Sequence, residues 1–123
     1  VGAAIAQILM QKDEVTVTVC NSKTKNLKNI TINADIIISA VGKPNLVTQD
    51  MVKDGVIIID VGISRVEDST RKSGYKIVGD ADFDNVSKKA KMISPVPGGV
   101  GPMTIVSLLQ NTLKAYNENR KRL

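Results

Sequence analysis

Histidine is absent from this 123-residue chain, and so is tryptophan. Without histidine, the most common general base and the most common metal ligand are both excluded. Cysteine occurs once, at Cys20, so neither a disulfide framework nor a cysteine-based zinc site can form within one chain. No metal is expected. Aromatic residues make up 2% of the sequence, namely Phe83, Tyr75 and Tyr116. The core must then be built from Ile, Val, Leu, Met and Ala, as in parallel sheets covered by helices. No apolar run is long enough to span a bilayer, and the first residues do not read as a signal peptide. No membrane partner is expected, and a lone thiol fits a reducing compartment such as the cytoplasm.

Positive charge is in excess. The net charge is +5, with a concentration at Arg120, Lys121 and Arg122. A basic balance raises the question of nucleic acid, but the lysines are scattered and no groove-reading or base-stacking motif accompanies them. The terminal cluster follows an expected helix, where cations complement the dipole. Nucleic acid is not the expected partner. An anionic small ligand such as a phosphate or polyglutamate suits the charge better. The length is that of one domain, with no expected linker.

Along the chain, Ala4, Ile5, Ile8 and Leu9 repeat at helical spacing within residues 1–11. Val15 to Cys20 alternates Val with Thr and predicts a strand, with Cys20 as strand core rather than nucleophile. Asn21 to Thr24 is turn-forming, and residues 26–32 read as a short helix or an irregular crossover. Two β-branched apolar runs, Ile36 to Val41 and Val56 to Val61, predict strands buried on both faces. Between them Thr48 is placed to cap a short helix ending near Gly55. Residues 64–74 read as an exposed loop, Lys76 to Gly79 as a short strand, and Asp82 or Asp84 as the cap of a helix reaching Lys91. Met92 to Ser94 is a last short strand before a Pro/Gly loop at 95–102. From about Met103, a final helix aligns Ile105, Val106, Leu108, Leu109, Thr112, Leu113 and Tyr116 on one stripe. Strands alternating with helices predict an α/β fold with a parallel sheet.

In such a sheet ligands lie beyond the carboxyl ends of the strands. That picks out the loops at residues 21–24, 41–44, 62–65 and 95–101, each with a glycine or small residue that lets backbone approach a ligand. At the end of the first strand an NAD site commonly carries an acid for the ribose 2′-hydroxyl. Here Cys20, Asn21, Ser22 and Lys23 offer none, and a hydroxyl beside an ammonium suits a 2′-phosphate. Ser22 equally reads as a residue capping the turn. In Pro95-Val96-Pro97-Gly98-Gly99-Val100-Gly101-Pro102-Met103-Thr104, prolines stiffen a glycine-rich loop that leads into a helix N-terminus, where anions are favoured. Asp80 and Asp82 read as turn and cap residues, with no catalytic role.

The segment PVPGGVGPMT at 95–104 resembles the signature of the methylenetetrahydrofolate dehydrogenase/cyclohydrolase family, bifunctional folate enzymes. VGAAIAQIL, VTVTVCNSKT, ADIIISAVGKP, GVIIIDVGISR and VGDADF follow the family's order along essentially the whole chain. Asn21, Ala4 and Ser64 stand where the family commonly has His, Pro and Asn. The resemblance implies NADP-dependent oxidation of 5,10-methylenetetrahydrofolate to the 5,10-methenyl form and hydrolysis of that product to 10-formyltetrahydrofolate. Ser22, Gly42, Ile63 and Thr104 would contact the cofactor, NADP rather than NAD. Pro95, Val96, Pro97, Gly98 and Gly99 would form the wall shared with the folate. The fold implied is a Rossmann-like parallel sheet with helices on both faces, lacking its first strand. Residues 1–123 would form a dinucleotide-binding domain incomplete at its amino-terminal end. The family's Gly-Arg-Ser turn and its catalytic Lys and Tyr would lie outside these residues, leaving no catalytic residue within them. A homodimer is expected, and Val15 to Cys20 should not pair directly with Ile36 to Val41. The alternative is a non-catalytic dinucleotide-binding or oligomerisation module.

Overall fold

The computed structural model describes residues 1–121; Arg122, the last of the basic cluster, lies outside them. The β-branched runs become a three-stranded parallel sheet of β1 (Ile36–Ser39), β2 (Ile57–Asp60) and β5 (Met92–Ile93), in the order β1-β2-β5. Ile36 pairs with Ile57 and Ser39 with Asp60, while Ile57 and Ile58 pair with Met92 and Ile93. The register fixes which side chains face the core. Ile37 and Ile58 pair, point the same way and are buried with Val47, Val52, Val56, Ala81 and Val86. Fully burying a side chain of this size contributes about 1.5–3 kcal/mol. The opposite face differs from the expected two-sided burial, because Ile36, Ile59 and Met92 remain 55%, 38% and 56% exposed.

Helix α1 (Gly2–Leu9) forms within the residues predicted to be helical, but it buries Ala6, while Ala4 and Ile8 of the expected stripe are exposed. Short α2 (Leu27–Thr31) starts after Asn26, whose φ of 52° is left-handed. A 3₁₀ turn, Gln49–Met51, takes the place of the helix expected after Thr48. Helix α3 (Phe83–Val86) begins after Asp82, but the Asp82 carboxylate accepts from the Asn85 side chain instead of capping a helix N–H, and the helix gives way to turns well before Lys91.

Further expectations need correction. Residues 15–20 form no strand, because a strand is defined by its ladder and nothing among the described residues pairs with them. Cys20 is half-buried there rather than strand core. No ladder joins them to β1, in agreement with the expectation that these two segments do not pair directly. The segment at 64–74, read as a loop, opens with a strand. β3 (Ser64–Glu67) pairs antiparallel with β4 (Tyr75–Val78), and Asp68 N–H donates to the Gly74 carbonyl at 2.9 Å to close the hairpin. The Arg65 guanidinium lies 4.8 Å from the Tyr75 ring centre and clasps the two strands. Helix α4 (Val100–Arg120) starts earlier than predicted, since Pro102 sits in its first turn, where a missing N–H costs nothing. None of its residues is buried.

Candidate functional site

The carboxyl ends of β1 and β2, the turn after β4 and the loop after β5 converge on one edge of the sheet. There a mostly apolar cleft of about 450 Å³ opens, lined by Gly62, Ile63, Ile77, the loop from Pro95 through Gly99 and the start of α4 as far as Ile105. It brings together most of the residues singled out from sequence. Ile63 is 65% exposed at its mouth. Pro95, Val96, Pro97, Gly98 and Gly99 form its wall, with a cis peptide between Val96 and Pro97 and a φ of 100° at Gly98. A Cβ on Gly99 would strike the Pro95 carbonyl oxygen, so the loop closes on itself only with glycine there. Thr104 lines the cleft as well, its hydroxyl donating back to the Val100 carbonyl at 3.1 Å.

Gly42 and Ser22 lie outside the cleft lining. Gly42 adopts a φ of 74°, a left-handed conformation that favours glycine, and its carbonyl accepts the Ser64 hydroxyl at 3.2 Å. That bond ties the loop after β1 to the start of β3. Ser22 is exposed in the turn that follows residues 15–20. The turn is closed by its neighbours: the Asn21 side chain accepts the Lys23 N–H at 2.9 Å, and the Thr24 hydroxyl accepts the Asn21 N–H at 2.9 Å. The capping role that Ser22 could have filled belongs to Asn21.

Two carboxylates organise this edge in a way the sequence reading did not foresee, Asp60 having been placed within a strand and Asp80 in a turn. Asp60, at the end of β2, and Asp80, two residues past β4, are 3% and 0% exposed. Asp60 accepts the N–H groups of Gly62, Asp80 and Ala81 at 2.8–3.0 Å. Asp80 accepts the Ser39 hydroxyl and the N–H groups of Val41, Gly42 and Lys43 at 2.7–3.2 Å. The signal available in sequence was an acid beside or one residue from a glycine at a strand end, Asp60-Val61-Gly62 and Gly79-Asp80. Among the described residues Asp60 is the one acidic or basic residue lining the cleft, and its oxygens are taken up by backbone amides. The cleft therefore offers no free acid or base among the described residues. Among the described residues no group of three or more His, Cys, Asp or Glu could hold a metal ion, and no helix is long and apolar enough to cross a membrane.

Comparison with known proteins agrees with this geometry. Residues 1–120 match the family described as tetrahydrofolate dehydrogenase/cyclohydrolase, NAD(P)-binding domain. The bifunctional protein FolD of Chlorobium phaeobacteroides is 56% identical over 119 residues, covering 94% of this chain and 40% of that protein. That of Protochlamydia amoebophila is 55% identical over 123 residues, 98% of this chain and 42% of its own length. The chain thus spans about two-fifths of the length of these relatives. The crystal structure of the bifunctional enzyme FolD from Campylobacter jejuni superposes with a TM-score of 0.87 at 53% identity, over 97% of this chain and 40% of that one. The FolD of Trypanosoma brucei, described as complexed with NADP cofactor and inhibitor, gives 0.88 at 42% identity over 96% and 40%. With a Rossmann-like parallel sheet and its cleft at the carboxyl edge, the chain belongs to the family of tetrahydrofolate dehydrogenase/cyclohydrolase NAD(P)-binding domains.

Proposed function

We propose that this chain supplies the cofactor-binding part of an enzyme that oxidises 5,10-methylenetetrahydrofolate with NADP and hydrolyses the 5,10-methenyl product to 10-formyltetrahydrofolate. The observation that carries the reading is the meeting of Ile63, the Pro95–Gly99 loop and the first turn of α4 around one apolar cleft. NADP, when bound, supplies the hydride acceptor. Ile63 and Thr104 would flank its nicotinamide end, Gly42 would offer close backbone approach, and Ser22 would receive the 2′-phosphate. The exposed Ser22 hydroxyl and the adjacent Lys23, with no carboxylate in the turn, favour the phosphorylated cofactor over NAD. Pro95 to Gly99 would form a rigid wall against the folate.

Residues 1–123 constitute a dinucleotide-binding domain in this reading, and the catalytic groups come from elsewhere. The lack of a free acid or base in the cleft supports that division. So does the apolar stripe of α4, where Ile105, Leu108, Leu109 and Leu113 are 61–65% exposed and await a cover. The β3–β4 pair supports a homodimer, because an isolated two-stranded hairpin is marginal and gains from pairing or packing. The reaction is cytoplasmic and needs no metal.

Calorimetric titration with NADP and NAD tests the cofactor assignment, and equal affinities would refute it. For the 123-residue chain alone, NADP affinity is expected to be weaker than roughly micromolar. The same chain should form no NADPH from methylenetetrahydrofolate above background. Turnover by the purified chain would require a base among its own residues.

A further inference from the structure

We propose that Asp80 is a positioning residue for cofactor binding, a buried carboxylate that sets the shape of the Val41-Gly42-Lys43 loop. The proposal rests on the reading of this edge as the NADP site.

Three successive amides of an irregular loop converge on this one side chain. Oδ2 accepts from Val41 N–H at 2.7 Å and Gly42 N–H at 3.2 Å, and Oδ1 from Lys43 N–H at 2.8 Å. The Ser39 hydroxyl, from the end of β1, adds a fourth bond at 2.9 Å. The Gly42 residue is then gripped at both ends, its N–H by Asp80 and its carbonyl by the Ser64 hydroxyl. The buried carboxylate is held by main-chain amides and one hydroxyl, with no lysine or arginine among the described residues bonded to it. Burying a carboxylate carries a desolvation cost, and amides that converge on it through charge-assisted hydrogen bonds offset that cost.

The surroundings make room for this carboxylate. A Cβ on Gly62 would collide with the Asp80 carboxylate, and a Cβ on Gly79 would collide with that of Asp60. Asp60 Oδ1 in turn accepts the Asp80 N–H at 3.0 Å. Asp60 therefore fixes the Asp80 backbone, and the Asp80 side chain fixes the loop after β1. The strand ends of β1 and β2 and the turn after β4 are held through two carboxylates and two glycines. A loop shaped before the ligand arrives loses less freedom on binding, and that gain appears in affinity.

The test is Asp80→Asn in the protein as its gene encodes it. Both Asp80 oxygens accept from donors, so whichever way an asparagine is turned its NH₂ faces an N–H. We expect the dissociation constant for NADP to rise at least about tenfold, from the amides left without acceptors. Hydrogen exchange at Val41, Gly42 and Lys43 should accelerate, while the β2 amides of Ile58 and Ile59 stay protected. Ser39→Ala removes one of the four bonds and should move both readouts in the same direction, by about threefold. Wild-type affinity and wild-type exchange in folded Asp80→Asn would overturn the proposal. Loss of protection in the loop and β2 together would also overturn it, by showing a general structural role. If Asp80→Asn melts below the assay temperature, Ser39→Ala decides on the same criteria. Should the wild-type protein bind no NADP, the site reading fails, and exchange at the loop still decides whether Asp80 shapes it.

Discussion

The carboxyl edge of the sheet and helix α4 are built on opposite terms. At the edge the backbone is irregular, yet its amides find carboxylate partners: Asp80 takes those of Val41 to Lys43, and Asp60 takes those of Gly62, Asp80 and Ala81. In α4 the backbone satisfies itself by helical hydrogen bonds, and the apolar side chains lack cover, with Leu108 and Leu109 each 65% exposed. The edge is thus specified by residues of this chain, down to the glycines that clear space for the carboxylates. The helix is specified only as a helix. Its stripe records a surface that something else must bury.

Substitutions at the two regions should diverge accordingly. The largest effect is expected from Asp60→Ala, which strands three buried N–H groups and should destabilise the chain by about 3 kcal/mol or more, read from the urea midpoint. A loss below about 1 kcal/mol would mean that water replaces the carboxylate, and that the edge is less self-contained than its hydrogen bonds imply. Ser22→Asp, in the turn after residues 15–20, leaves folding alone and acts on the ligand. A carboxylate facing a 2′-phosphate should shift the ratio of NADP to NAD affinity by about tenfold or more towards NAD, and a surviving preference would exclude Ser22 from the phosphate site. Leu109→Gln on α4 should change the stability of the 123-residue chain by less than about 0.5 kcal/mol. A larger loss would show that α4 is held by this chain's own residues and would erase the contrast. The smallest effect belongs to a surface pair that joins neither region.

That pair is Lys28 and Asp50, 2.7 Å apart. The hydrogen bond from Lys28, helped by the Thr48 hydroxyl, lowers the Asp50 pKa from 3.8 to about 2. A carboxyl with a depressed folded-state pKa contributes stability that is present above its unfolded value, near pH 4, and is lost as pH falls through the folded value, near pH 2. Both side chains are more than half exposed, so solvent screens the pair. Lys28→Ala should return the Asp50 titration towards 3.8 by NMR and leave the melting temperature at neutral pH unchanged.

The sequence was most readable where local chemistry decides structure. The β-branched runs at 36–41 and 56–61 contain β1 and β2, and the proline and glycine pattern at 95–101 marks a rigid loop at the cleft. It was less readable where tertiary pairing decides. Val15 to Cys20 has the alternation of a strand, but alternation supplies no partner. Ser64–Glu67 has polar residues at three of its four positions and becomes a strand only because Tyr75–Val78 lies alongside. Asp60 and Asp80 were hidden for a related reason. Asp60 sits within the apolar run read as a strand, Asp80 reads as a turn-forming acid, and their joint role depends on contacts across 20 residues and more.

The turn at residues 21–24 bears on how such a protein could change over evolutionary time. Because Asn21 and Thr24 close it by themselves, position 22 carries no duty in folding. Under the proposed role for Ser22, the choice between two closely related cofactors is written at a site that mutation can revise without first compensating for lost structure. A lineage could pass between the two preferences through intermediates that all fold, and a protein engineer could follow the same route with single substitutions.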